Sequence, residues 1–132
     1  MQAAANFINN GRYQEAINVL NGIDNKTAQW YYYSAMAHMG LGNNVAALEH
    51  ANKAVALDPQ NMEYQMLLLM ASHAGHIFSA QNLYESVWNE PYLYSSNGTV
   101  MVHIRKLRVK LEDDPQNPKL IQNVWGKGYR FG

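Results

Sequence analysis

Residues 99–114, TVMVHIRKLRVKLEDD, hold the densest charge in the chain: Arg105, Lys106, Arg108 and Lys110 fall within six positions, with Thr99 and His103 just before them. Guanidinium and ammonium groups neutralise phosphates and donate to base edges, so a clustered basic helix is the sequence footprint of nucleic-acid binding. A solvated surface helix produces the same run of charge. Taken alone, the stretch leaves the two readings level.

Other chemistry finds little support. The histidines are His38, His50, His73, His76 and His103, and only His73 and His76 have a spacing that could share a metal. Neither has a third ligand close in sequence, so no metal site is expected. There is no cysteine, no Gly-rich phosphate loop, no GxSxG and no HExxH. Asp113 and Asp114 stand before Pro115, where turn formation explains them. Neither catalysis nor a cofactor is expected.

A length of 132 residues with 48% hydrophobic content suits one domain or two very small ones, and the formal net charge is zero. That average hides a split. Three basic residues stand against five acidic ones up to Gly75, and seven against five from His76 onward. Positive potential therefore gathers in the half that holds the basic stretch. The lack of cysteine fits a reducing cytoplasm, and no apolar segment approaches the roughly 18 residues of a membrane span. A soluble cytoplasmic protein with no membrane partner is expected.

Several elements must position the basic stretch. Val100, Ile104, Leu107 and Leu111 recur at i, i+4, i+7 and i+11, an apolar stripe that predicts a helix from Thr99, capped by Asn97 and ended by Asp113, Asp114 and Pro115. Upstream, Ser79 is placed to cap a helix over 80–88, and Ile77-Phe78 reads as a short extended pair. Residues 89–96, NEPYLYSS, form a loop between the two helices, which is a helix-turn-helix order. Beyond Pro115 and Pro118, residues 120–125 and 129–131 read as strands around Gly126-Lys127-Gly128, a β-hairpin wing directly after the basic helix.

The first half has its own order. NNGRYQEAINVL aligns with GLGNNVAALEHA, pairing Gly11 with Gly42, Ala16 with Ala47, Leu20 with Ala51 and Ile23 with Ala54 at a separation of 31. Helices are predicted over 2–9, 13–21, 27–41 and 45–57, each closed by a Gly, Asn or Asp-Pro signal. Residues 61–72, NMEYQMLLLMAS, are apolar around the whole circumference at their centre. Such a helix is buried on more than one side and can seal the repeats while serving the second half.

The second copy, with Ala35, Gly42, Ala47, Ala54 and Asp58-Pro59, resembles the tetratricopeptide repeat, and the text is also similar to the helical tails of some bacterial DnaJ-like proteins. The first copy is shorter than the family's repeat. The resemblance implies a peptide-binding groove on the first helix of each pair, where Trp30, Tyr32, Tyr33 and His38 would lie. In so small an array these aromatics serve equally well as core, and that structural reading is preferred.

The second half resembles the DNA-binding effector domain of OmpR/PhoB-type response regulators, particularly the VanR-like members. TVMVHIRKLRVKLE, the DPQNP turn and the VWGKGYRF hairpin form one long ordered signature, and the likeness covers about residues 63–132. It implies a recognition helix in the major groove with Thr99, Val102 and Lys106 facing base edges. It further implies that His103, Arg105 and Arg108 meet phosphates, and that Lys127 and Arg130 on the wing approach the adjacent minor groove or backbone. Glu90, Pro91, Tyr92 and Tyr94 fall in the loop that touches RNA polymerase in that family, whose members bind tandem half-sites as dimers.

Two departures accompany this resemblance. It does not extend to the family's phosphoacceptor receiver domain, so it carries no phosphorelay control to these residues. The small antiparallel sheet that normally precedes the first effector helix has no counterpart, and the repeat helices stand in its place. The expected fold is mainly α, with tetratricopeptide-like hairpins over 1–61 packed on a winged helix-turn-helix over 62–132, the helix 62–73 being shared. The expected function is double-stranded DNA binding in transcriptional regulation. The alternative is a protein-interaction module whose repeat groove holds a peptide, and the junction of two family fragments reads like a fusion, natural or engineered.

Overall fold

The computed structural model describes residues 1–131, and its seven helices and three strands follow the chain order α1 Gln2–Asn9, α2 Tyr13–Asn21, α3 Ala28–Gly40, α4 Asn44–Leu57, α5 Met62–Ser72, β1 Ile77–Phe78, α6 Ala80–Trp88, α7 Ser96–Leu111, β2 Ile121–Val124 and β3 Gly128–Phe131. Caps sit where short polar side chains can take up free N–H groups of the first turn. The Thr27 hydroxyl accepts from the Trp30 N–H, the Asn61 side chain from Tyr64 N–H, and the Ser79 hydroxyl from Asn82 N–H. The internal repeat is structural: Gly11 and Gly42 both adopt positive φ, at 73° and 78°, to turn the chain between paired helices.

One core runs through both halves. Ile8, Ala16, Met36, Ala47 and Ala51 from the repeat helices join Met66 and Leu67 of α5, then Leu83, Val100, Ile104, Leu107, Leu111, Ile121 and Phe131. A smaller cluster, Ala4, Leu20 and Trp30, closes the outer end of the repeat. Helix α5 packs against α4 on one side and α6, α7 and β3 on the other, as expected of a helix apolar all round.

The strands form one antiparallel sheet in the order β1-β3-β2, with Ile77 opposite Arg130 and Asn123 opposite Tyr129. The hairpin thus gains a third strand from the extended pair at 77–78. Gly128 makes that pairing possible, because a Cβ there would stand 2.0 Å from the Phe78 carbonyl oxygen. Among the described residues these are the only strands, so no sheet precedes α6 apart from β1.

Helix α7 corrects one expectation. It begins at Ser96, ahead of Thr99, and Asn97 is not its cap: the Asn97 amide points along the helix to the Met101 sulfur at 3.5 Å. The reason is Ser96, which is buried and whose hydroxyl accepts from the Leu93 N–H at 3.0 Å. That anchor draws another turn of chain into the helix.

Candidate nucleic-acid interface

The apolar stripe of α7 faces inward completely, with Val100, Ile104, Leu107 and Leu111 all at or below 1% exposure. Its outer face is formed by Met101, Val102, Arg105, Lys106 and Val109, every one exposed. Two cations therefore stand among apolar side chains on a helix that cannot rotate, since turning it would expose the stripe. A groove of about 790 Å³ runs beside this face, bordered by Val102, Arg105, Val109, Gln116 and Asn123.

Thr99 and His103 lie at the flank of the face, half-buried. The His103 ring stands edge-on to Trp88, with centroids 4.8 Å apart, and its Nδ1–H donates to the Thr99 carbonyl at 2.9 Å. A carbonyl only accepts, so Nδ1 carries the proton and Nε2 is the nitrogen left for an outside partner.

Arg108 departs from the phosphate-contacting role. Its guanidinium donates twice to the Ile121 carbonyl, at 3.1 and 2.8 Å, and once to the Asn123 side chain at 2.9 Å, and it lies over the Tyr129 ring. Loss of hydration lowers its pKa from the ordinary arginine value, opposed by Tyr129 and Glu112. The side chain is committed to fastening the wing onto α7, and these bonds compete with any phosphate.

Arg130 lies on β3 of the wing, away from its tip. It sits in the middle of the sheet opposite Ile77 and Gln122, and donates to the Gln122 side chain at 2.8 Å. Lys127 does occupy the tip, exposed in the β2–β3 turn. There its neighbour is Trp125, 96% exposed, and a cleft of about 410 Å³ brings this turn alongside Asn97 at the start of α7.

The far end of α7 is held by groups from the repeat. A helix leaves its last carbonyls without intrahelical partners. The Tyr13 hydroxyl donates to the Leu111 carbonyl at 3.0 Å, and the Asn9 amide donates to the Val109 carbonyl at 2.5 Å. Burial raises the Tyr13 phenol above its usual value, with Glu112 and Asp113 adding to the effect, so it keeps the proton it donates. Lys110 turns away from the outer face to meet both oxygens of Glu63 on α5, at 3.0 and 2.9 Å, and to approach the Tyr32 ring.

Glu112, just past α7, is 2% exposed, and its carboxylate accepts from the N–H groups of Lys119, Leu120 and Ile121 at 2.7–3.0 Å. This clamp fixes where β2 begins. Sequence reading missed it because a Glu beside Asp-Asp-Pro is indistinguishable from a solvated helix end. It missed Trp125 too, although a tryptophan flanked by a glycine turn has no core to enter, and that was a readable signal.

The proposed peptide groove is corrected. Trp30 is 3% exposed and its indole N–H donates to the Leu20 carbonyl at 2.8 Å, while Tyr32 is 2% exposed against Tyr64. Both are core side chains, and only Tyr33 and His38 remain half-exposed. The loop 89–95 is tied down in part: the Tyr84 hydroxyl donates to Glu90, and the Tyr92 N–H donates to Glu85. Leu93 and Tyr94 protrude from it, and Pro91 is exposed. Among the described residues no group of three or more potential metal ligands comes together, and no helix is long and apolar enough to cross a membrane.

Comparison with known proteins places this geometry among relatives. The family profile described as transcriptional regulatory protein, C terminal, matches residues 52–131, and that of the tetratricopeptide repeat matches 28–61. Over 72 residues the chain is 61% identical to the uncharacterized transcriptional regulatory protein YrkP of Bacillus subtilis (strain 168), covering 54% of this chain and 31% of that protein. It is 48% identical over 77 residues to the regulatory protein VanRc of Enterococcus gallinarum, covering 58% and 32%. Against the regulatory protein VanR of Enterococcus faecium it is 37% identical over 100 residues, covering 74% and 42%. The chain thus spans less than half the length of these relatives.

Proposed function

The chain belongs to the family of transcriptional regulatory proteins defined by their C-terminal domain, and from that membership we propose that α7 and the wing bind double-stranded DNA to regulate transcription. The observation that carries the reading is the outer face of α7, where Arg105 and Lys106 stand exposed between Val102 and Val109 on a helix whose opposite side is fully buried.

In this reading α7 enters the major groove. The Val102 methyls pack on a thymine methyl, Lys106 donates to guanine O6 and N7, and the Thr99 hydroxyl reaches a base edge from the flank. Arg105 and Lys127 meet phosphates, His103 can join them only as the imidazolium, which donates from Nε2 as well as Nδ1, and Arg130 adds positive potential from the sheet. Arg108 acts through the wing, setting its angle to α7. Copies bind tandem half-sites side by side, and the protruding Leu93 and Tyr94 give the 89–95 loop a surface for RNA polymerase in the cytoplasm.

The repeat has a different part in this proposal. Asn9 and Tyr13 of the repeat, with Glu63 of the shared helix α5, hold the C-terminal end of the reading helix, so the helical hairpins and α5 together do the supporting work of the missing sheet. The test compares two variants on a panel of duplexes. Lys106→Ala should flatten base preference by about 1–3 kcal/mol at one position, while Arg105→Ala should weaken every duplex alike. Equal losses on all sequences from both variants would refute the division of roles.

A further inference from the structure

The chain has seven methionines and no cysteine, so thioethers are its only sulfur. Met36, Met39, Met66 and Met70 are at most 2% exposed in the core, and Met1 and Met62 are half-buried against the two apolar clusters. Among the described residues Met101 is the one methionine open to solvent, at 54% exposure. It stands on the outer face of α7, beside the groove that Val102 and Arg105 also border. A two-electron oxidant therefore meets this sulfur first, with no thiol to compete for it.

The sulfur has a polar neighbour on each side along the helix. Four residues before it, the Asn97 amide donates to Sδ at 3.5 Å, and four residues after it the exposed Arg105 projects from the same face. A thioether is a weak acceptor and gives a guanidinium nothing to hold. Oxidation reverses this. The sulfoxide oxygen carries partial negative charge, and it arises between an amide donor and a cation, each one helical turn away.

We propose that Met101 is a redox modification site: a peroxide converts it to the sulfoxide, whose oxygen accepts from Asn97 and Arg105 and so withdraws Arg105 from the phosphate backbone. The consequence for DNA rests on the DNA-binding reading above. In the step, a sulfur lone pair attacks one oxygen of hydrogen peroxide, and the S–O bond forms as the O–O bond breaks. The departing hydroxide takes the proton from the new S–OH group and leaves as water. Sulfur gives up two electrons and the peroxide gains them. A dithiol-dependent sulfoxide reductase returns the thioether, so the modification is reversible.

The experiment treats the full chain with dilute hydrogen peroxide, maps the added oxygen by peptide mass spectrometry and reads duplex affinity by anisotropy, for the parent, Met101→Leu and Arg105→Ala. Met101 should oxidise ahead of the other methionines. The oxidised parent should bind about tenfold more weakly, as for the loss of one charged contact, and should recover on incubation with a methionine sulfoxide reductase. Met101→Leu should keep its own affinity through the same treatment. Arg105→Ala should lose little more on oxidation, because the sulfoxide acts through a cation that this variant lacks. Circular dichroism should not change with oxidation of Met101, since the side chain lies outside the core.

Earlier oxidation of a core methionine, or an equal loss of affinity in Met101→Leu, overturns the inference and leaves the DNA-binding reading standing. A sulfoxide form that binds as tightly as the reduced chain does the same, and a full tenfold loss in oxidised Arg105→Ala overturns the route through Arg105. Failure of the untreated parent to bind duplex DNA at low salt overturns both readings.

Discussion

The Tyr13 hydroxyl, on the second helix of the repeat, donates to the carbonyl of Leu111 at the end of α7, 98 residues away. With Asn9 on Val109, it gives α7, the proposed recognition helix, a cap drawn from the tetratricopeptide-like repeat. Removing the hydroxyl in Tyr13→Phe should lower stability by about 1 kcal/mol, measured by thermal or denaturant unfolding. An unchanged midpoint would show that solvent satisfies the Leu111 carbonyl equally well.

The ring of Tyr13 depends on Gly40. A Cβ at that position would lie 2.5 Å from the ring atoms, too close for any accommodation short of moving the tyrosine. Helix propensity alone would make Gly40→Ala stabilising by about 1 kcal/mol, whereas overpacking costs about 1–3. The expected outcome is a net loss of stability of up to about 2 kcal/mol, measured by denaturant unfolding. A gain would mean that the helix can shift to admit a methyl group.

Lys106 and Lys110 stand four residues apart on α7 and should respond in opposite ways. Lys110 is engaged by Glu63, so Lys110→Ala should cost about 0.5–1 kcal/mol of stability while leaving duplex affinity nearly unchanged. Lys106→Ala should weaken DNA binding without altering the unfolding midpoint. Titration and melting of the two variants side by side would expose a reversed assignment.

Much of this arrangement was readable in advance. The ends of α1, α2 and α6 follow from Gly11, Gly22 and Ser79, because turns and caps are local. The stripe of α7 followed from its period, and the wing from its glycines. What could not be read depends on distant chain. In α3, AQWYYYSAMAHMG, aromatics fill consecutive positions, and no period says that Trp30 and Tyr32 turn inward. The partners of Arg108, Glu112 and Lys110 lie on β2, on the chain leading into it and on α5, so a charge that looked free was already spoken for.

His38 and His50 make stability fall with acid. Burial lowers the pKa of each below the ordinary 6.5, and His38 lowers that of His50 further. The unfolded chain therefore takes up protons first as pH drops. Their contribution is complete above about pH 6.5 and declines as pH falls through the lowered folded values. The melting midpoint should drop between about pH 7.5 and 5.5, and His38→Gln should flatten that dependence. A midpoint rising toward acid would contradict the sign.

Glu112 should prove more costly to lose than any surface carboxylate. Glu112→Ala leaves three backbone N–H groups at the start of β2 without their acceptor, so about 3 kcal/mol of stability should go, measured by denaturant unfolding. The wing should loosen with it, seen as faster amide exchange at Ile121.

The most direct test of the central claim is fluorescence anisotropy of labelled duplex DNA with the full chain across a series of salt concentrations. Arg105 and Lys127 meet phosphates in this reading, with Lys106 and Arg130 adding positive potential, so log affinity should fall against log salt with a slope of about −2 to −4. Binding that ignores salt, or no binding at low salt, would contradict the assignment of α7 and the wing as a DNA-reading surface.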